Sequence, residues 1–460
     1  MLLARSQMSF RYSTEIECEL LETQANPQLA QGQPEQASLA QKGLDRRCDL
    51  GVPNRESRVA EEENDPDSES LAMGKAKLQW YEFFAGGGMA RLGLGDNWEC
   101  RFSNEWSEKK AAAYRAYFGT SPELKVQDVR TLTPSDLPGL ADLVWASFPC
   151  QDLSLAGSGA GLGGERSGTF TPFWGLMCRL IEEGRKPNLV VLENVVGAIT
   201  SHEGRDFNTL LSKLSRSGYK VGPLVIDAVR FVPQSRPRLF IIAASNDQNI
   251  PSHFLSSNHD PAWHPASILK AYRNLNSSLR DSWVWWNLPE PHGVAVPTLS
   301  SIIEESPSGI EWGSGRDTAR LISLMSSLNR RKLEMAQKEK IRKVGTIYKR
   351  TRPVKGNAEG KAVQRAELRF DGISGCLRTP VGGSSRQIVL VTAGNRIRSR
   401  LLSPREAARL MGVPESYPLP LRYNDAYHLF GDGVVVPVVA WIEKHLLRPL
   451  AALGKLKRVA

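Results

Sequence analysis

Cys150, in Phe148-Pro149-Cys150-Gln151, comes at the end of the apolar run DLVWASF. A thiol there would project from the carboxyl end of a strand, where it can act as a nucleophile, although free cysteine is more often a small buried hydrophobe. Glu193-Asn194-Val195 closes the run NLVVL in the same way. A carboxyl so placed can donate or accept a proton in a partly dry pocket, or simply cap a turn. Gln234-Ser235-Arg236-Pro237-Arg238 sets two guanidinium groups at alternate positions just before LFIIA. In an extended chain both point to one side, an arrangement suited to an anion or a base carbonyl.

A second series begins at Phe84-Ala85-Gly86-Gly87-Gly88, directly after a predicted strand, where glycine permits a tight turn and close backbone approach to a ligand. About 20 residues on, Glu105 could take up two ribose hydroxyls by the logic of dinucleotide sites. Trp106 offers a face for an adenine, and Asp128 an acceptor for its exocyclic amine. Separately these read equally well as a turn, a surface carboxylate, a core indole and a helix cap. Their order favours a nucleoside-type ligand.

The elements that must hold these residues alternate. LQWYEF, DLVWASF, NLVVL and RPRLFIIAAS read as strands, and SEKKAAAYRAYF and FWGLMCRLIEEG between them as helices. The pattern predicts an α/β fold with a doubly wound, mostly parallel sheet whose ligands collect at the carboxyl ends of its strands. Four regions are expected: a disordered acidic tail over 1–75, a first catalytic part over 76–245, a second, smaller domain over 246–395, and a return to the catalytic domain over 396–460. RLLSPREAARLMGVP predicts a helix with Ser403 as N-cap and Pro404 in its first turn. The abrupt change of composition at Met73 raises the expectation that synthesis starts there.

Net charge is +10, yet residues 1–75 hold 8 Lys/Arg against 14 Asp/Glu, which leaves +16 on the remainder. Residues 330–369 alone contain 14 Lys/Arg and 4 Asp/Glu. Such density, beside Tyr348 and Phe370, favours a phosphate-binding surface over a merely solvated face. The six cysteines form no C-x-x-C pair, so neither a zinc site nor a disulfide framework is indicated and no metal is expected. No run approaches the roughly 20 apolar residues of a membrane span. A cytoplasmic protein without a membrane partner is expected.

FAGGG, NEW, FPCQ, ENV, QSRPR and GDGVVVPV, in this order, resemble the DNA (cytosine-5) methyltransferases of bacteria and phages. The resemblance covers about residues 78–245 and 401–445, and the stretch between corresponds to that family's variable target-recognition domain. It implies a Rossmann-like, S-adenosylmethionine-dependent enzyme acting on double-stranded DNA, expected to be a monomer, with or without a cognate restriction endonuclease. Phe84, Gly86 and Gly88 would line the cofactor site together with Pro149, Glu105 would bind the ribose, Trp106 would pack on the adenine and Asp128 would contact its amine. Cys150 would add to carbon 6 of a flipped-out cytosine, activating carbon 5 towards the methyl group. Glu193 would hold ring nitrogen 3 and the exocyclic amine, Arg238 the base carbonyl, and Arg236 would brace the site.

The resemblance further implies a closing loop over 150–168, with Gln151, Ser154 and Arg166 as DNA contacts. Gln234, Lys349, Arg350, Arg352, Arg378, Ser385 and Arg386 are the other expected DNA contacts. The closing motif departs from the family's common Gly-Asn-x-Val, since this chain has Gly431-Asp432-Gly433-Val434. Asp432 and Val434 are kept as cofactor contacts. An RNA (tRNA) cytosine methyltransferase and a catalytically inactive DNA-binding homologue are the rival readings.

Overall fold

The computed structural model describes residues 77–149, 167–353, 362–379 and 386–459. The acidic segment 1–75, with the expected start at Met73, lies outside them. Seven strands form the large sheet: β1 (Leu78–Phe83), β2 (Trp98–Glu105), β3 (Leu124–Val126), β4 (Leu143–Ala146), β5 (Leu189–Val195), β6 (Tyr219–Asp227) and β7 (Pro237–Ser245). Their spatial order is β3-β2-β1-β4-β5-β7-β6, with β7 antiparallel to both neighbours and every other pairing parallel. The doubly wound, mostly parallel α/β architecture is therefore present.

Strand alternation divides the core cleanly. Trp80, Leu143, Trp145, Leu189, Val191, Phe240 and Ile242 face one layer, and Tyr81, Phe83, Val144, Ala146, Val190, Leu192, Leu239 and Ile241 the other. Burial on both faces explains why these strands read as continuous apolar runs. The first layer is filled by helix Met89–Leu94 and by the C-terminal helices Tyr423–Asp432, Val436–Ile442 and Arg448–Val459. The second is filled by helices Phe170–Glu182 and Arg205–Arg216.

The stretch expected as a second domain, 246–395, divides between the two sheets. Residues after 246 first form a short pair, β8 (Leu255–Ser256) with β9 (Trp285–Trp286), and this region packs on the large sheet. Trp286 donates its indole N–H to the carbonyls of Gly222 and Ile242, at 3.1 and 3.2 Å. The smaller sheet follows, with β10 (Arg342–Pro353), β11 (Ala362–Arg369), β12 (Ile388–Ala393) and β13 (Arg396–Leu401) in the antiparallel order β11-β10-β12-β13. A cut after 395 would separate β13 from the β12 backbone it pairs with.

Helices Gly315–Ser323 and Ser327–Lys338 pack on this sheet through Leu321 and Leu333, against Ile347, Leu368 and Leu390. The chain re-enters the catalytic layer through helix Pro404–Leu410, where Ser403 caps Glu406 N–H and Pro404 occupies the first turn, as predicted. Arg400 of β13 and Glu406 are fully buried at 2.6 Å, joining the small sheet to that helix.

Candidate active site

The carboxyl ends of β1 and β2 form a cradle. Phe84 and Gly86 both adopt left-handed backbone, with φ of 59° and 58°, so the chain turns sharply away from β1. Glu105, at the end of β2, is buried and holds this turn from below. Its Oε2 accepts from Gly86 N–H at 2.8 Å and its Oε1 from the N–H groups of Trp106 and Ser107, at 3.1 and 2.8 Å. Oε2, with a single partner, keeps lone-pair capacity for a hydroxyl.

Trp106 is 76% exposed beside this buried carboxylate, whereas Phe83 and Phe102 of the same two strands are buried. Space at Gly86 is open, whereas a Cβ on Gly88 would meet Phe118 at 2.3 Å. A carboxylate oxygen open to a ribose hydroxyl, an exposed aromatic face and an approachable backbone suit the adenosine of S-adenosylmethionine. The residues fit this group.

Other expected cofactor residues are engaged elsewhere. Asp128 caps the turn after β3, accepting from Arg130 N–H at 2.9 Å and pairing with the Arg130 guanidinium at 3.1 Å. Asp432 accepts from Lys110 Nζ at 2.8 Å and from Thr379 Oγ1 at 3.0 Å. Val434 puts its side chain into the core. Pro149 continues the chain beyond β4 and is half-buried.

The second cluster lies at the ends of β4, β5 and β7. Asn194 donates its side-chain amide to the carbonyl of Phe148 at 3.1 Å, tying the β4 extension to β5. Glu193 is buried, with Oε1 at 3.4 Å from Arg238 Nε. Burial pushes its carboxyl above the ordinary range despite the opposing fields of Arg238 and Arg236 and a hydrogen bond from Ser147.

Arg236 is 2% exposed, and its guanidinium serves backbone. Nη1 donates to Leu377 O at 2.8 Å, and Nη2 to the carbonyls of Gly431 and Gly433 at 2.9 and 2.7 Å. It clamps the closing motif to the β7 entry. Cys376, a residue the sequence reading passed over, joins the two arginines, with Sγ at 3.3 Å from Arg236 Nη1 and 3.9 Å from Arg238 Nη2. Burial opposes ionisation of this thiol, but the two guanidinium groups outweigh it and hold its pKa below the usual value.

Gln234 is a correction. It is fully buried, accepting from Leu377 N–H at 2.9 Å and donating to Leu410 O at 2.7 Å. Its amide holds three chain segments together and is closed to DNA.

The basic run over β10 splits between two faces. Tyr348 and Arg350 share one face, where the Tyr348 hydroxyl donates to Cys376 O and Arg350 lies 3.2 Å from Glu367. Lys349 falls on the face of Ile347, which packs against the helices. Arg365 of β11 stands directly opposite Arg350 in register. Like charges so placed repel, and the sequence reading did not single out this pair.

Arg378 is exposed. Arg386 donates to Asn424 Oδ1 at 2.6 Å and lies over the Tyr423 ring. Arg352 is described only through its backbone in β10, while Cys150, Gln151, Ser154, Arg166 and Ser385 lie outside the described residues.

The family description "C-5 cytosine-specific DNA methylase" matches residues 78–448. Among curated proteins, the chain is 26% identical over 400 residues to the Type II methyltransferase M.HpaII of Haemophilus parainfluenzae, covering 82% of this chain and 92% of that protein. It is likewise 26% identical to the Type II methyltransferase M.HhaI of Haemophilus parahaemolyticus, covering 79% and 93%. Its fold resembles that of Schizosaccharomyces pombe Dnmt2, with a TM-score of 0.50, 17% identity, and 81% and 99% of the two chains covered. It also resembles the Entamoeba histolytica methyltransferase EhMeth, with a TM-score of 0.52, 12% identity, and coverage of 82% and 99%. With the family matched across both parts of the catalytic layer, the chain belongs to the C-5 cytosine-specific DNA methylases and is a DNA cytosine methyltransferase that uses S-adenosylmethionine.

Proposed function

We propose that the chain methylates carbon 5 of a cytosine extruded from a specific duplex sequence, through a transient bond between Cys150 and carbon 6. The observation that carries this reading is the pair Glu193 and Arg238, held 3.4 Å apart at the ends of β5 and β7, with Asn194 tying in the Phe148 carbonyl two residues before Cys150. A cytosine edge presents a ring nitrogen beside a carbonyl. A carboxyl that keeps its proton can donate to the nitrogen while a guanidinium donates to the carbonyl.

Addition of a thiolate at carbon 6 breaks the ring's aromaticity and places electron density on carbon 5. Glu193, donating to ring nitrogen 3, favours that addition by drawing charge from the ring. Arg238 fixes the base against rotation, and Arg236 keeps the closing motif in place without touching the ring. S-adenosylmethionine, when bound, supplies the electrophilic methyl group, with Glu105 and Trp106 as the residues that would hold its ribose and adenine. A base, such as a water molecule, then takes the carbon 5 proton, its bonding pair reforms the 5,6 double bond, and Cys150 leaves carbon 6 as the thiolate, which restores aromaticity.

Extrusion costs a few kcal/mol in unstacking, which contacts to the flanking duplex must offset. Arg350, Arg365 and Arg378 are the basic groups proposed to hold the phosphates. The protein works as a monomer on this reading. The Type II names of its relatives make an endonuclease of the same target sequence the implied partner.

The test is incubation of the purified protein with S-adenosylmethionine and duplex DNA, followed by nucleoside mass spectrometry and bisulfite sequencing. Methylation at carbon 5 of cytosine in one recurring sequence is expected. Methyl transfer to tRNA with none to DNA would overturn the reading.

A further inference from the structure

Asp432 is the last residue of helix Tyr423–Asp432. A carboxylate at a helix C-terminus faces the negative end of the helix dipole, so its sign is wrong for stability there. It also stands where the resemblance leads one to expect a neutral asparagine. Something must compensate the added charge.

The structure shows the compensation. Lys110, on helix Glu108–Phe118, reaches Asp432 Oδ2 at 2.8 Å, and Thr379 Oγ1 donates to the other oxygen at 3.0 Å. The peptide carbonyls of Gly431 and Gly433, on either side of Asp432, are both gripped by Arg236. Asp432 thus stands at a junction of four segments. Lys110 lies four residues after Trp106; burial works to lower its pKa, but the fields of Asp432 and then Glu105, with the hydrogen bond to Asp432, outweigh it and hold the pKa above the usual value. Its neighbour Lys109 pairs with Asp425 at 2.9 Å, in the first turn of the helix that Asp432 ends.

We propose that Lys110 and Asp432 act as one positioning unit for S-adenosylmethionine, in which Asp432 holds the Lys110 ammonium away from Glu105 and leaves the Glu105 carboxylate available to the ribose. The inference rests on the functional reading above. Its consequence is asymmetric. Removing Asp432's charge frees Lys110 to settle on Glu105 and compete with the ribose, whereas removing Lys110 as well takes the competitor away.

The experiment measures binding of S-adenosylhomocysteine by calorimetry to the wild type and to the D432N, K110M and K110M/D432N variants, with thermal melting of each unliganded protein as a folding control. D432N should bind about tenfold more weakly, with KM for S-adenosylmethionine raised and KM for DNA unchanged. The double variant should recover to within about threefold of wild type, a coupling that independent sites do not show. Wild-type affinity in D432N, or a double variant as weak as D432N, would overturn the proposal. Failure of the wild type itself to bind S-adenosylhomocysteine would instead contradict the functional reading, and the proposal with it.

Discussion

Glu193 on β5 and Arg238 on the antiparallel strand β7 meet diagonally, since Arg238 registers opposite Val195, two residues beyond Glu193, and their side chains lie 3.4 Å apart. Diagonal neighbours on one face of an antiparallel pair are within reach of long side chains. The single antiparallel strand in the large sheet is therefore what brings the carboxyl and the guanidinium together.

If Glu193 works as a proton-bearing group, Glu193→Gln should lower methyl transfer by roughly 10²–10⁴-fold while duplex binding persists. Burial holds this carboxyl above its ordinary range, so the protonated form survives into less acidic solution and is lost as pH rises through the raised value. Wild-type turnover should accordingly decline on the alkaline side, and the glutamine variant should lack that limb. Single-turnover rates across pH check this, and identical profile shapes would remove the assigned role.

Arg236 should behave as a brace. Replacing it with Met leaves the carbonyls of Leu377, Gly431 and Gly433 without their donor in a buried place. With about 1–3 kcal/mol for each unsatisfied group, the melting temperature should fall by about 5–10 °C. An unchanged melting curve would mean that the closing motif holds its place independently.

Arg350 and Arg365 face each other in register with one carboxylate, Glu367, 3.2 Å from Arg350, so the pair keeps a net positive charge that a polyanion would cover. Alanine at either position should leave the free protein as stable or slightly more so, weaken duplex binding, and reduce the slope of log affinity against log salt by about 1. Binding titrations at several salt concentrations decide the matter. An unaltered slope would place the duplex on another face.

Glu82 on β1 is fully buried, and burial raises its carboxyl from 4.5 to about 8, against the field of Arg91 and a hydrogen bond from Ser103. The folded protein keeps this proton where the unfolded chain has released it. The contribution of this group to stability is therefore fully present below about pH 4.5 and is lost as pH rises towards about 8. Glu82→Gln should remove that decline, worth a few kcal/mol at most. Denaturant midpoints from pH 5 to 8.5 test it, and parallel curves for the two proteins would refute it.

Residues at the ends of apolar runs were legible in the sequence because both faces of a covered parallel sheet demand continuous hydrophobic strands, which leave the first polar residue conspicuous. Glu105 and Glu193 stand at such ends. Gln234 misled because a polar side chain beside two arginines gives no sign that its partners are backbone groups of Leu377 and Leu410, far away in the chain. Cys376 was hidden for the same reason, its role arising from Arg236 and Arg238. The small sheet was obscured by β10, whose charged residues mask its period of two, so its extension through β13 emerged only from the pairing.

The bond between the Cys150 sulfur and the target base is tested most directly with a duplex carrying 5-fluorocytosine at the methylated position. Fluorine cannot leave as a proton does, so the reaction should halt as a covalent protein–DNA complex, and peptide mass spectrometry should place the base on Cys150. A duplex that binds normally yet forms no complex, or an adduct on another residue, would contradict the account.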